Sequence, residues 1–144
     1  MDVNDRAQRS ANAMWEADNA SKWFGFELVE VTEGRAVLGM TVQKNHCNGH
    51  KICHGGVTFA LADSAFAFAC NSRNQSTVAQ TNLVTFVAPG KLGDRLTAVA
   101  TEVSLTGRSG IYDVKVCNQD DTVIAEFRGM SRAIKGQLFN ENEA

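Results

Sequence analysis

The segment His54-Gly55-Gly56-Val57-Thr58-Phe59-Ala60-Leu61-Ala62-Asp63-Ser64-Ala65-Phe66-Ala67-Phe68-Ala69-Cys70-Asn71 decides the fold. It opens on a His-Gly-Gly turn and then runs apolar or small on every side. No polar stripe recurs at the 3.6-residue period, so the pattern predicts a helix buried all round rather than an amphipathic surface helix. One carboxylate, Asp63, interrupts it. Its helical neighbours at three and four residues are Phe59, Ala60, Phe66 and Ala67, none of which carries a countercharge. An acid so placed costs several kcal/mol unless it finds partners, water or a raised pKa.

Ahead of this helix, residues 6–24 carry Ala7, Ala11, Met14, Trp15 and Trp23 among charges, which predicts an N-terminal helix within residues 1–24 that ends before Gly25. Residues 26–33 read as a strand, Gly34 turns the chain, and residues 35–42 return, as in a hairpin. Residues 45–53 form a polar loop containing Asn48-Gly49. After the helix the pattern is β throughout. Strands are expected over residues 77–87, closed by Pro89-Gly90, then over 96–105, 111–117 and 122–134. A loop at 107–110 and a turn at Asn118-Gln119-Asp120-Asp121 join the last three, and the tail 137–144 is expected to fray. The sum is an α+β domain spanning 1–144, an antiparallel sheet of about five to six strands wrapped around one long central helix. Such a sheet leaves long edges, so a homo-oligomer that pairs an edge strand is expected.

Bulk properties narrow the function. The 144 residues are 44% hydrophobic with net charge −2, so there is room for a core and no basic field to recruit nucleic acid or an acidic membrane. The apolar helix is broken by Asp63 and falls short of the roughly 20 residues that a membrane span needs. Asp2, Asp5, Arg6 and Arg9 make the N-terminus unlike a secretory leader, so Cys47, Cys53, Cys70 and Cys117 read as reduced thiols of a cytoplasmic protein. The chain contains no G-x-S-x-G elbow, Walker loop or dinucleotide fingerprint.

Two features carry chemistry. Paired glycines at a helix start allow close backbone approach, and the first helical N–H groups lack intrahelical partners, so the terminus suits an oxyanion or a polarised carbonyl. The same pair also serves simply to turn a loop into a helix, and the residues alone permit both readings. Asp63 suits a general base or nucleophile, against the alternative of a solvated or amide-capping acid. Eight residues separate Gly55 from Asp63, about 12 Å along a helix. No reacting carbon sits within roughly 3 Å of both groups of one chain, so a common site needs two subunits. His46, Cys47, His50, Cys53 and His54 cluster like metal ligands, but Asn48-Gly49 disfavours the helix that would align them. The cluster reads as a polar loop at a site entrance, with no metal.

The stretch Asn48-Gly49-His50-Lys51-Ile52-Cys53-His54-Gly55-Gly56, followed by Leu61-Ala62-Asp63, resembles the hotdog-fold acyl-CoA thioesterases, most closely the PaaI type of phenylacetic acid degradation. Ala67-Phe68-Ala69-Cys70-Asn71-Ser72, Ala88-Pro89-Gly90-Lys91-Leu92-Gly93-Asp94, Tyr112-Asp113 and Phe127-Arg128-Gly129 extend the likeness over nearly the whole chain. The resemblance implies a helix wrapped by a sheet, a homodimer with a continuous sheet, a homotetramer of two such dimers, and thioester hydrolysis without metal or organic cofactor. It implies Asp63 as the catalytic carboxylate, the Gly55 amide as the group polarising the carbonyl, Asn48 beside the attacked carbon, and His54 in support. Gly56 and Thr81 join the substrate-binding residues. Some relatives carry an assisting hydroxyl on the strand after the helix; here that position falls near Ala79, with Gln80 or Thr81 as stand-ins on opposite faces by strand alternation. Lys91, Arg108, Arg128 and Arg132 are candidates for the coenzyme A phosphates, Arg108 first. A hotdog protein that binds, hydrates or dehydrates an acyl-CoA without hydrolysing it is the alternative.

Overall fold

The computed structural model describes residues 1–142. Six antiparallel strands form one sheet: β1 (Glu27–Thr32), β2 (Arg35–Thr41), β3 (Thr77–Phe86), β4 (Arg95–Thr106), β5 (Ser109–Cys117) and β6 (Val123–Ala133), in the spatial order β1-β2-β4-β5-β6-β3. The helix predicted at the centre is α3 (Gly55–Cys70), packed against the concave face of that sheet. Leu61, Ala62, Ala65, Phe66, Phe68 and Ala69 point into the sheet and are buried. Each large apolar side chain removed from water there is worth about 1.5–3 kcal/mol. Helix and sheet approach closely at Gly129, where a Cβ would lie 2.7 Å from the Phe66 ring.

The helix runs antiparallel to β3, which is an edge of the sheet, and three contacts hold them together. At the C-terminal end, the Asn71 amide donates to the Ala67 carbonyl (2.9 Å) and the Thr77 carbonyl (3.0 Å), while Asn71 Oδ1 accepts the Thr77 N–H (2.9 Å). In the middle Asn82 bonds Asp63, and at the start the Phe86 ring lies over Gly55.

Four expectations need correction. First, α3 is not covered all round: Gly56 is exposed, and Val57, Ala60, Asp63, Ser64 and Ala67 remain partly exposed along its far side. One curled sheet covers one side of a helix, and the apolar residues on the other side lie beside the free β3 edge.

Second, the N-terminal helix is two helices, α1 (Val3–Ala17) and α2 (Asn19–Phe24), broken at Asp18. The Asp18 carboxylate accepts the Ser21 N–H (2.9 Å) and hydroxyl (2.6 Å), so it caps a new helix instead of continuing the old one. Gly25 then ends α2 in the left-handed region (φ 80°).

Third, residues 45–53 are not an open polar loop. The chain makes a 3-10 turn (Lys44–His46) and then a tight hairpin. His46 is buried; its Nε2 donates to the Phe24 carbonyl (2.6 Å) and its Nδ1 accepts the Gln43 N–H (2.8 Å).

Fourth, the tail is docked as far as Glu141; residues 143 and 144 lie outside the described residues. Asn74 Oδ1 accepts the N–H groups of Leu138 (2.9 Å) and Phe139 (3.1 Å), and its amide donates to the Phe139 carbonyl (3.0 Å) and Glu141 (2.9 Å). Arg6 pairs with Glu141 at 3.0 Å, and Arg9 lies 4.4 Å from the centre of the Phe139 ring. A polar tail still orders when a buried side chain satisfies its backbone. Asn74→Ala should therefore cost about 2 kcal/mol. It should also open the chain to tryptic cleavage after Lys135; an unchanged denaturation midpoint and digest pattern would refute this docking.

Candidate active site

The start of α3 is set by the hairpin before it. The His54 N–H donates to the His46 carbonyl (2.8 Å), the Asn48 N–H to the Ile52 carbonyl (2.9 Å) and the Lys51 N–H to the Asn48 carbonyl (3.0 Å). Lys51 takes the left-handed conformation (φ 63°) that lets a three-residue hairpin loop close. Asn48 Oδ1 accepts the His50 N–H (3.0 Å), which orients the Asn48 amide. The Cys53 N–H donates to the Gly90 carbonyl (2.7 Å) and ties the hairpin to the Pro89-Gly90 stretch.

From this base the helix begins with one donor left over. The His54 carbonyl accepts the N–H groups of Val57 (2.9 Å) and Thr58 (3.2 Å), and His54 Nδ1 accepts the Gly56 N–H (2.8 Å). An accepting Nδ1 fixes the proton of a neutral ring on Nε2. Among the described residues nothing accepts the Gly55 N–H. Gly55 and Asn48 line one pocket of about 440 Å³, walled by Ile52, Cys53, Phe86 and Val87. A Cβ at Gly55 would lie 3.1 Å from the Phe86 ring, so only glycine leaves the N–H approachable without displacing that ring. The terminus thus offers an unpaired donor, with the partial positive charge of a helix start, to an apolar pocket.

Asp63 does not reach that pocket. It lies two helical turns on, half-buried, and its Oδ1 accepts the Asn82 amide at 2.7 Å. Burial pushes the Asp63 carboxyl above its ordinary range, and the Asn82 hydrogen bond only partly offsets this. The Asn82 Oδ1 is buried without a partner among the described residues, so a polar acceptor sits unspent beside the acid. Within one chain, Asn48 and Gly55 are brought together, with His54 and Gly56 adjoining them, and Asp63 is apart.

Asn82 is the residue that sequence reasoning missed. Alternation along β3 sends alternate residues to opposite faces, but the ladder slips between Ala79 and Thr81, leaving Gln80 unpaired against β6. Beyond this bulge Asn82 pairs with Gly129 on the helix side, whereas Thr81 pairs with exposed Met130 on the outer side. Thr81 therefore faces away from Asp63 of its own chain, Ala79 is exposed at the strand's start, and the side chain that reaches the acid is an amide, not a hydroxyl. Nothing in the sequence marks the bulge, so alternation alone sends Asn82 to the wrong face.

Comparison with known proteins now decides the family. The thioesterase superfamily model matches residues 50–125. The acyl-coenzyme A thioesterase PaaI of Escherichia coli K12 is 41% identical over 139 residues, covering 96% of this chain and 99% of its own. The solved structure of the E. coli PaaI protein from the phenylacetic acid degradation operon superposes with a TM-score of 0.93, over 94% of this chain and 99% of that one. A mutant phenylacetic acid degradation protein PaaI from Thermus thermophilus is 33% identical, with a TM-score of 0.76 over 79% of this chain and 97% of its own. The chain belongs to the thioesterase superfamily. It is a hotdog-fold thioesterase of the PaaI type, and its sheet-wrapped helix is the hotdog arrangement.

The candidate cations of this thioesterase lie in three places. Lys91 pairs with Ile52 and follows Gly90, both of which line the pocket. Arg108, in the β4–β5 turn, and Arg132, which pairs with Val78 and contacts the Ser109 hydroxyl (3.4 Å), lie at the opposite end of the sheet, near the C-terminus of α3. Arg128 is held by Asp113 at 2.7 Å. Of these four candidates, Lys91 is the one placed beside the pocket of its own chain.

The Asn82 bond has a measurable sign. It favours the charged form of Asp63, so Asn82→Ala should raise the Asp63 pKa further. The rising limb of the thioesterase pH–rate profile should then move to higher pH, with the plateau rate less affected. An unmoved limb would remove Asn82 from the control of the carboxylate.

Proposed function

We propose that this thioesterase hydrolyses phenylacetyl-CoA, or a related aryl- or hydroxyaryl-acyl-CoA, to the free acid and coenzyme A in a site shared by two subunits. The observation that carries the reading is the unpaired Gly55 N–H at the end of an apolar pocket, on the same helix as Asp63 and out of its reach. The aryl preference is supported by the phenylacetic acid context in the names of its relatives and by the Phe86 ring over Gly55.

The free β3 edge supports the dimer. Leu83 (68% exposed), Phe86 (54%) and Val87 (55%) are too apolar and too open for an isolated edge strand. Two such edges paired antiparallel about a two-fold axis set the Thr77 end of one strand against the Phe86 end of the other. With the axis crossing between Asn82 and Phe86, Asn82 of one strand lies opposite the partner's Phe86, and Asp63 then faces the partner's pocket. The same operation carries Arg108 and Arg132 from their remote end toward that pocket, where guanidinium groups suit the coenzyme A phosphates. Two dimers then assemble as a tetramer.

In this site the thioester oxygen accepts the Gly55 N–H, and the Asn48 amide lies beside the attacked carbon. His54 caps Gly56 and holds the turn that aims the donor. Asp63 takes the proton of an attacking water, or attacks the carbonyl itself and is released by water; both routes expel coenzyme A as its thiol and use no metal or organic cofactor. The unspent Asn82 Oδ1 is a second acceptor for a water poised on Asp63. Among the described residues no helix is long and apolar enough to cross a membrane, and cytoplasmic residence fits an enzyme of acyl-CoA chemistry with free cysteines.

Asp63→Asn should cut thiol release from phenylacetyl-CoA by roughly 10²–10⁴-fold. It should also raise the melting temperature near neutral pH. The sign follows from the raised pKa: an acid harder to ionise folded than unfolded lowers stability as pH climbs from its ordinary value through the raised one, and asparagine escapes that loss. Near-normal turnover in this variant would remove Asp63 from the mechanism. Across a panel of aryl, short-chain and long-chain thioesters, kcat/KM should be highest for the aryl group, and dialysis against a chelator should leave it unchanged.

A further inference from the structure

The hairpin that carries Asn48 also sets Cys47 opposite Cys53. The flanking bonds, His54 N–H to the His46 carbonyl (2.8 Å) and Asn48 N–H to the Ile52 carbonyl (2.9 Å), define a non-hydrogen-bonded antiparallel pair. In such a pair the two Cα atoms are about 4.5 Å apart and the side chains share a face, which lies inside the roughly 4.4–6.8 Å span that a disulfide bridges. Both thiols are free as the chain stands. Cys47 Sγ donates to the Gln43 carbonyl (3.5 Å), and Cys53 Sγ accepts the buried Thr58 hydroxyl (3.5 Å). Turning each side chain about χ1 is enough to bring the sulfurs together, because the hairpin already holds the backbone.

We propose that Cys47 and Cys53 are a dithiol that closes to an intramolecular disulfide in the presence of a low-molecular-weight disulfide, and that closure slows the enzyme. Cys47, half-buried, is the sulfur that a small oxidant can reach; Cys53 is buried in the pocket wall, and burial pushes its thiol up. The Cys47 sulfur attacks one sulfur of the oxidant, the oxidant's S–S bond breaks, and one small thiol leaves with the Cys47 proton. The Cys53 sulfur then attacks the Cys47 sulfur of the mixed disulfide and expels the second small thiol, which takes the Cys53 proton. Two cysteine thiols are oxidised by two electrons and one small disulfide is reduced to two thiols.

The other two cysteines do not compete. Cys70, the last residue of α3, is buried with its thiol pushed up to about 12, and Cys117 ends β5 opposite Thr97 and Val123, with no cysteine across from it. Closure at Cys53 acts directly on the pocket. It draws the sulfur from the Thr58 hydroxyl and reshapes the wall between Gly90, whose notional Cβ is 3.3 Å from Cys53, and Gly55. This consequence rests on the thioesterase reading; the bond itself does not.

The test incubates the full protein with excess glutathione disulfide, then measures intact mass, alkylatable thiols and thioester turnover. Closure predicts loss of the mass of two hydrogen atoms without a glutathione adduct, and loss of two of the four thiols. Trypsin should yield two peptides joined through Cys47 and Cys53 despite the cut at Lys51. Turnover should fall several-fold, return on reduction, and stay unaffected by the oxidant in Cys47→Ser. A lasting glutathione adduct on Cys47, or four thiols still alkylatable, overturns the dithiol. Unchanged turnover in the closed protein overturns its control of the site. A protein inactive before oxidation counts against the thioesterase reading alone, since the mass and peptide results stand without it.

Discussion

The proposed site depends on one constraint: the helix that fills the sheet carries both the donor and the acid, and it is too straight to bring them together within one chain. Gly55 and Asp63 lie on one rigid rod, eight residues apart, with the free donor at the end and the acid in the middle. Neither can move without disrupting the core that Leu61, Ala62, Ala65 and Phe66 build between them. The uncovered side of α3 and the open β3 edge lie together, so the surface that would complete the fold is also the surface that would complete the site.

The site is held at an energetic disadvantage. Asp63 sits where burial opposes its charge, and the chain compensates with a single amide from Asn82 rather than a cation. A cation in that place would pin the carboxylate in its charged form and lower its basicity; an amide orients it and leaves it able to accept a proton. The glycine at the helix start follows the same logic, since a side chain there would press on Phe86. Stability is given up locally at both positions for groups that stay chemically available.

Much of this was legible in the residues. The apolar run of 54–71 and the alternation of the strands locate the central helix and the six strands to within a residue or two, because hydrophobic patterning and turn residues dominate local choice there. The distance between Gly55 and Asp63 follows from helix geometry alone. What escaped depended on long-range partners. Asn74 has no role in the sequence until the tail that it anchors is in place, and His46 reads as part of a polar loop until Phe24 is found beside it. Asn82 was hidden by a bulge, which inverts the facing of a strand without changing its composition. The exposed side of α3 was hidden because a sequence cannot distinguish burial by its own sheet from burial by a partner.

The shared site is tested most directly by mixing two inactive proteins. Gly55→Pro deletes the donor N–H at the first helical position and sets a ring carbon against Phe86; the backbone itself accepts it, since the ψ of 134° at His54 suits a following proline. Asp63→Asn deletes the acid. Co-expressed with different tags and isolated as the mixed species, the hybrid dimer gathers both lesions into one site and leaves the other intact. The account predicts that thioester turnover reappears in the hybrid at about half the wild-type value per dimer. A hybrid no more active than its two parents would contradict it.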